Sequence, residues 1–194
     1  MSEFLLYLEL GFDHILDLNG YDHILFVIAL CATYMIHDWK KLLILITAFT
    51  IGHSITLALA TFQVVNFRAE LIEFLIPVTI FVTALLNLFK KERAFEAPKV
   101  RSNYWLALVF GLIHGLGFSN YLRALLGKDT SIVSQLLAFN VGLELGQIII
   151  VAIFLIISFI LVDIFGVKRR DWKMIISSAV AGIALMLMFE TKFW

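Results

Sequence analysis

Between Ile132 and Ile164 the chain runs 33 residues with only two charged side chains, Glu144 and Asp163. Several other stretches are nearly as apolar. A helix of this polarity spans a hydrocarbon layer of about 30 Å, where every backbone N–H and C=O must find its partner inside the protein. The rest of the chain agrees. Hydrophobic residues make up 61% of it and charged ones 15%, with a mean hydropathy of +0.96, whereas soluble domains hold about 45–50% and about 25%. An all-α, polytopic membrane bundle is therefore predicted, built as one integral membrane domain over 1–194.

Six crossings are predicted, at about 20–37, 41–63, 69–90, 103–126, 132–164 and 172–191. A short N-terminal helix over 3–18 precedes them. It is too short and acidic for a span, and reads as an amphipathic outer-face or re-entrant element stopping at Asn19-Gly20. It lacks the basic start of a cleaved secretory signal. Eleven of the fifteen Lys and Arg fall in three connections. Lys40 and Lys41 lie in the first, Lys90, Lys91, Arg93, Lys99 and Arg101 in the second, and Lys168, Arg169, Arg170 and Lys173 in the third. Positive-inside logic makes that side cytoplasmic and puts both termini outside an inner or plasma membrane. Trp39, Trp105 and Trp172 fall at the same boundary. A net charge of zero gives no reason to expect nucleic-acid binding. Cys31, the single cysteine, reads as a small buried hydrophobe.

Against this apolar background, His14, His23, His53 and His114 lie in or beside the spans, with Asp22 and Glu144. An ionisable group in a bilayer costs roughly 2.5–3.5 kcal/mol and marks a partner or a cavity. A rise of 1.5 Å per residue places these six groups within about 15 Å of depth, in the outer half of the membrane. Asn140, Glu144 and Gln147 form one polar stripe on their helix, and Thr50 and Ser54 flank His53. Gly111 and Gly115, like Gly142 and Gly146, are small-xxx-small pairs that admit close helix approach. The predicted site is a metal centre of His14, Asp22, His23, His53, His114 and Glu144, with Thr50, Ser54, Asn140 and Gln147 as outer hydrogen-bonding partners. Imidazole and carboxylate suit a divalent transition ion, and this ligand set does not choose among Ni, Co, Zn and Fe, nor between one ion and two. The duller reading of each group alone is interhelical hydrogen bonding. His37, beside Asp38 and Trp39, reads as interfacial.

Three segments together resemble the HupE/UreJ family, small membrane proteins linked to hydrogenase and urease accessory systems and described as nickel or cobalt permeases. They are His14-ILDLN-Gly20-Tyr21-Asp22-His23; TAFTIGHSITLALA around His53; and FGLIHGLGF around His114 with FNVGLELGQ around Glu144. The resemblance covers nearly the whole chain. It implies a helical membrane fold and divalent-metal handling, with His14, Asp22 and His23 expected to matter for transport. The chain departs from some members in lacking a His-Pro step and a cleavable signal. A permease is the leading expectation. The alternatives are an intramembrane metalloenzyme using zinc or iron on a lipid or peptide, and a metal-stabilised accessory or sensor subunit. The expected partners are the metal ion, the bilayer and a second copy of the chain. The inner halves of the spans offer few ligands, so a permeation route below the cluster is predicted to be nearly dry.

Overall fold

The computed structural model describes residues 2–18, 20–65, 67–90, 100–119, 122 and 132–194, with residues 100–102 as backbone only. Lys91, Arg93 and Lys99, counted above for orientation, lie outside the described residues.

Seven α-helices account for the described fold: α1 (Glu3–Leu16), α2 (Asp22–Cys31), α3 (Trp39–Thr61), α4 (Ala69–Phe89), α5 (Val100–Gly117), α6 (Ile132–Ser158) and α7 (Arg169–Glu190). A 3₁₀ turn, Ile36–Asp38, leads into α3, and a π-helical turn, Phe159–Ile164, extends α6. No strand occurs among the described residues. Four stretches are long and apolar enough to cross a membrane: Ile36–Thr61, Ala69–Phe89, Ile132–Ile164 and Arg169–Glu190. Asp22–Cys31 and Asn103–Gly117 are shorter apolar helices. The chain is thus an integral membrane helical bundle, with lipid-facing apolar side chains such as Ile153, Ile156 and Ile183 exposed around it.

One end of the bundle is tied by polar contacts. Asn103 donates to the Tyr34 hydroxyl at 2.7 Å, Lys173 Nζ to the Lys90 carbonyl at 2.9 Å, and Asn87 to the Ala29 carbonyl at 2.7 Å. Lys40, Lys41, Lys90 and Lys173 cluster with this end, which we call the basic end. Trp39 and Trp105 are exposed there, as interfacial anchors are. Trp172 differs: it is buried, with its ring 5.7 Å from that of Phe154.

The stretch expected to span over 20–37 departs from that pattern. Helix α2 has only 10 residues, about 15 Å of rise and half a crossing. The missing half is α1. Glu3 meets Gln135, Gly11 lies on the Phe139 backbone, and Gly146 on Ile15, so α1 runs beside α6 in the same direction. End to end, α1 and α2 have the length of one crossing, interrupted at residues 17–21. Glycine makes the contact possible: a Cβ at Gly11 would overlap the Phe139 carbonyl, and one at Gly142 the Leu8 carbonyl.

The second close pair is α3 with α5, also parallel. A Cβ at Gly52 would strike the Leu108 carbonyl, at Gly111 the Phe49 carbonyl, and at Gly115 the His53 carbonyl. Fitting a backbone this closely against another brings the Phe-x-x-x-His segments of both helices, Phe49/His53 and Phe110/His114, to one level. His53 follows Trp39 by 14 residues and His114 follows Val100 by 14, so each stands about 21 Å along its helix from the basic end.

Candidate metal centre

The break between α1 and α2 opens at that level. His14 lies in the last turn of α1, and Asp22 and His23 in the first turn of α2. A half-helix that ends at a site points its unpaired carbonyls, the negative end of its dipole, toward the space beyond. The acidic Asp22 in turn offsets the positive end of α2.

The four histidines meet there. Ring centroids are separated by 4.7 Å for His14–His23, 5.1 Å for His23–His114, 6.0 Å for His23–His53 and 6.3 Å for His14–His53. His53 and His114 are fully buried, His23 is 4% exposed, and His14 is partly buried.

The hydrogen bonds single out particular nitrogens. Asp22 Oδ1 accepts from the His23 backbone N–H at 2.8 Å and lies 3.0 Å from His23 Nδ1. With its proton on Nδ1, His23 keeps a lone pair on Nε2, which is buried without a partner. Thr79 Oγ1 donates to the Ile76 carbonyl at 2.7 Å and lies 3.1 Å from His114 Nε2. A hydroxyl has one hydrogen, and that hydrogen is spent on Ile76. His114 Nε2 is therefore the donor, and its buried, unpartnered Nδ1 carries the lone pair. His14 Nε2 and both nitrogens of His53 are also buried with no partner. Buried polar atoms are nearly always satisfied; here five imidazole nitrogens on four neighbouring rings are not.

A metal–nitrogen bond of about 2.0–2.1 Å puts ring centroids about 4.5 Å apart for ligands at right angles and about 6.4 Å apart for opposite ones. The separations of four of the six histidine pairs, given above, fall inside that interval. Among the described residues no group of three or more His, Cys, Asp or Glu side chains is placed to hold a metal ion; binding one would require the rings to turn. The Asp22–His23 pair already has the carboxylate–imidazole arrangement that orients a metal-binding histidine.

The other predicted residues lie differently. Glu144 Oε1 accepts from Thr47 Oγ1 at 2.7 Å, and Gln147 Oε1 from Thr50 Oγ1 at 2.9 Å, joining α3 to α6. Ser54 donates to the Thr50 carbonyl at 2.6 Å and Asn140 to the Leu136 carbonyl at 2.8 Å, each within its own helix. Thr47 precedes His53 by six residues, about 9 Å along α3 toward the basic end. Five of the six predicted ligands thus come together, and Glu144 anchors a helix joint below them. Sequence reading missed Thr79, although its place two residues beyond Pro77 on α4 was visible. It also missed the floor of the site. The Phe26, Phe49 and Phe110 rings, all buried, pack directly under the histidines; Phe26 is 4.7 Å from Phe49 and 6.0 Å from Phe110, and His114 lies 5.2 Å from Phe26 and 5.1 Å from Phe49.

No curated protein matches the chain significantly, and no solved structure does. A family model described as HupE / UreJ protein matches residues 1–192; the chain, a membrane bundle with four histidines gathered at a broken helix, belongs to the HupE/UreJ family.

Proposed function

We propose that the protein is a permease for a divalent transition metal of the nickel and cobalt class, and that His14, His23, His53 and His114 bind the ion in transit. One observation carries this reading: four neighbouring histidine rings bear five buried nitrogens without a partner. Neutral imidazole is a ligand without first losing a proton, and Asp22 supplies negative charge behind His23. Thr79 and Asp22 hold His114 and His23 in the tautomers that aim a lone pair inward. Glu144 serves the α3–α6 joint in this reading, and the basic end faces the cytoplasm. Transport also requires release, and the three phenylalanine rings stand between the ion and the basic end.

The same rings favour one second reading, a metalloenzyme holding a resident zinc or iron ion over a sealed apolar floor. Reconstitution separates the two. Purified protein is stripped with chelator, Co²⁺ binding is followed by its visible absorption, and uptake is measured in proteoliposomes. Saturable uptake lost in His23→Ala and His114→Ala supports the permease. Metal that resists chelation, with no flux, refutes it in favour of the enzyme.

A further inference from the structure

Glu144 takes no part in the histidine cluster, yet it is a carboxyl group in the middle of a span. Twelve residues separate it from Ile132, about 18 Å along α6, and its neighbours Val141, Leu145 and Ile148 are exposed and apolar. Carboxyl groups at such depth are a recurrent means of binding and moving protons. The bonded partner of Glu144 is a hydroxyl: Thr47 Oγ1 donates to its Oε1 at 2.7 Å. Among the described residues no cation pairs with it. On α3, Lys41 and His53 each stand six residues from Thr47, about 9 Å away in opposite directions along the helix. Lys41 is itself paired with Asp38 of the 3₁₀ turn. Helix α1, packed on Gly142 and Gly146, carries His14, the exposed Glu9 and Asp13, and Glu3, which is bonded to Gln135. Helix α2 carries the Asp22–His23 pair and the buried Cys31.

The polar neighbours of Glu144 on α6 show what it is built to do. Asn140 precedes it by four residues and Gln147 follows it by three, so all three lie on one side of the helix. Asn140 Nδ2 donates to the Leu136 carbonyl at 2.8 Å, and its Oδ1 is buried without a partner. Gln147 is fully buried; its Oε1 accepts from Thr50 at 2.9 Å, and its Nε2 has no partner. Buried polar atoms left in this way are rare. A carboxylate only accepts hydrogen bonds, while the acid form also donates one. Asn140 Oδ1 is an acceptor that lacks a donor, and Gln147 Nε2 is a donor that lacks an acceptor. The acid form of Glu144 matches the first and the anion matches the second, each within reach by rotation of side chains one turn apart. A carboxylate with a purely structural role needs partners for one state; this seam holds partners for both.

We infer that Glu144 is a proton-binding site whose occupancy governs passage of the ion from the histidines toward the basic end. The proton comes from water by way of the histidine space, along Ser54 and Thr50, which continue the seam up α3 to the height of His53. It forms one O–H bond on Glu144 and returns to water by the same way, and no electron moves. The ionised form, standing below the histidines, draws a departing cation toward the basic end; the protonated form does not. The effect on passage rests on the permease reading, and the proton site itself does not.

Two measurements on the full-length protein in liposomes test the inference. Infrared spectra recorded without metal read the proton directly. Wild type is expected to show a protonated-carboxyl band that fades as pH rises and is missing from Glu144→Gln. Identical spectra for the two across the pH series overturn the proton site, whatever the histidines bind. The second measurement is the maximal rate of Co²⁺ uptake at saturating Co²⁺, so that ligand affinity does not enter. Glu144→Gln, which holds the neutral form, is expected to give one low rate at every pH. Asn140→Leu removes the partner of the acid and should carry wild-type uptake to lower pH. Gln147→Leu removes the partner of the anion and should lose uptake at higher pH than wild type, each displacement being roughly 0.5–1 in pH. Displacement of both in one direction, or of neither, overturns the proposal. Uptake absent even from wild type refutes the permease reading and with it the effect on passage, and the infrared band still decides the proton site.

Discussion

Replacing Thr79 with valine tests the hydrogen-bond logic of the site with almost no change of shape. The hydroxyl gives its hydrogen to the Ile76 carbonyl and accepts from His114 Nε2, which leaves Nδ1 free for metal. Valine keeps the branched side chain and removes the acceptor. His114 must then bury an unsatisfied N–H, at about 1–3 kcal/mol, or move its proton to Nδ1 and lose the inward lone pair. Changes to the groups that orient metal ligands typically lower affinity about 10- to 100-fold, which at 1.4 kcal/mol per decade is about 1.4–2.8 kcal/mol. The expected result is a Co²⁺ affinity in equilibrium titration weaker by a factor in that range for Thr79→Val. Thr79→Ser, which keeps the oxygen, should stay close to wild type. Unchanged binding in Thr79→Val, or equal weakening in Thr79→Ser, refutes the tautomer assignment.

Three further outcomes are expected. Glu144→Gln retains an acceptor for Thr47 and should bind Co²⁺ within about twofold of wild type; a loss as large as that of His23→Ala, about tenfold or more, would restore Glu144 as a direct ligand. Gly142→Ala drives a Cβ into the Leu8 carbonyl and should lower thermal stability in detergent by an overpacking cost of about 1–3 kcal/mol. Gly182, with nothing within 4 Å of an added Cβ, should gain up to about 1 kcal/mol as alanine, and matching melting temperatures for the two variants would contradict the packing described. Phe26→Leu thins the floor under His114 and should raise maximal Co²⁺ flux several-fold at unchanged affinity, since an apolar constriction gates by excluding water; unaltered flux would show that the rings are not the barrier.

Much of this site was legible in the sequence because hydrocarbon leaves few reasons for an imidazole. Four histidines in apolar runs, at similar heights by helix rise, had to face inward or face one another, and they do the latter. The glycine spacings were legible for the same reason: Gly111 and Gly115 admit α3, and Gly142 and Gly146 admit α1. What one-dimensional reading could not settle was rotation about each helix axis. Glu144 sits within the correct span of height, yet turns to Thr47; Thr50 and Gln147, chosen as supports for metal ligands, turn to each other. Height follows from counting residues, but azimuth depends on which neighbour packs where.

The break between α1 and α2 was harder still, since MSEFLLYLELGFDHILDLNG is too acidic to score as membrane by hydropathy. Its acidity and its position now have one explanation. A half-helix packed on α6 through Gly11 leaves Glu9 and Asp13 exposed on its other side, and its interruption lets His14 and His23 approach within 4.7 Å. An unbroken helix cannot do this: residues nine apart are about 13.5 Å apart along its axis. The interruption is therefore what converts two distant positions of one segment into neighbours.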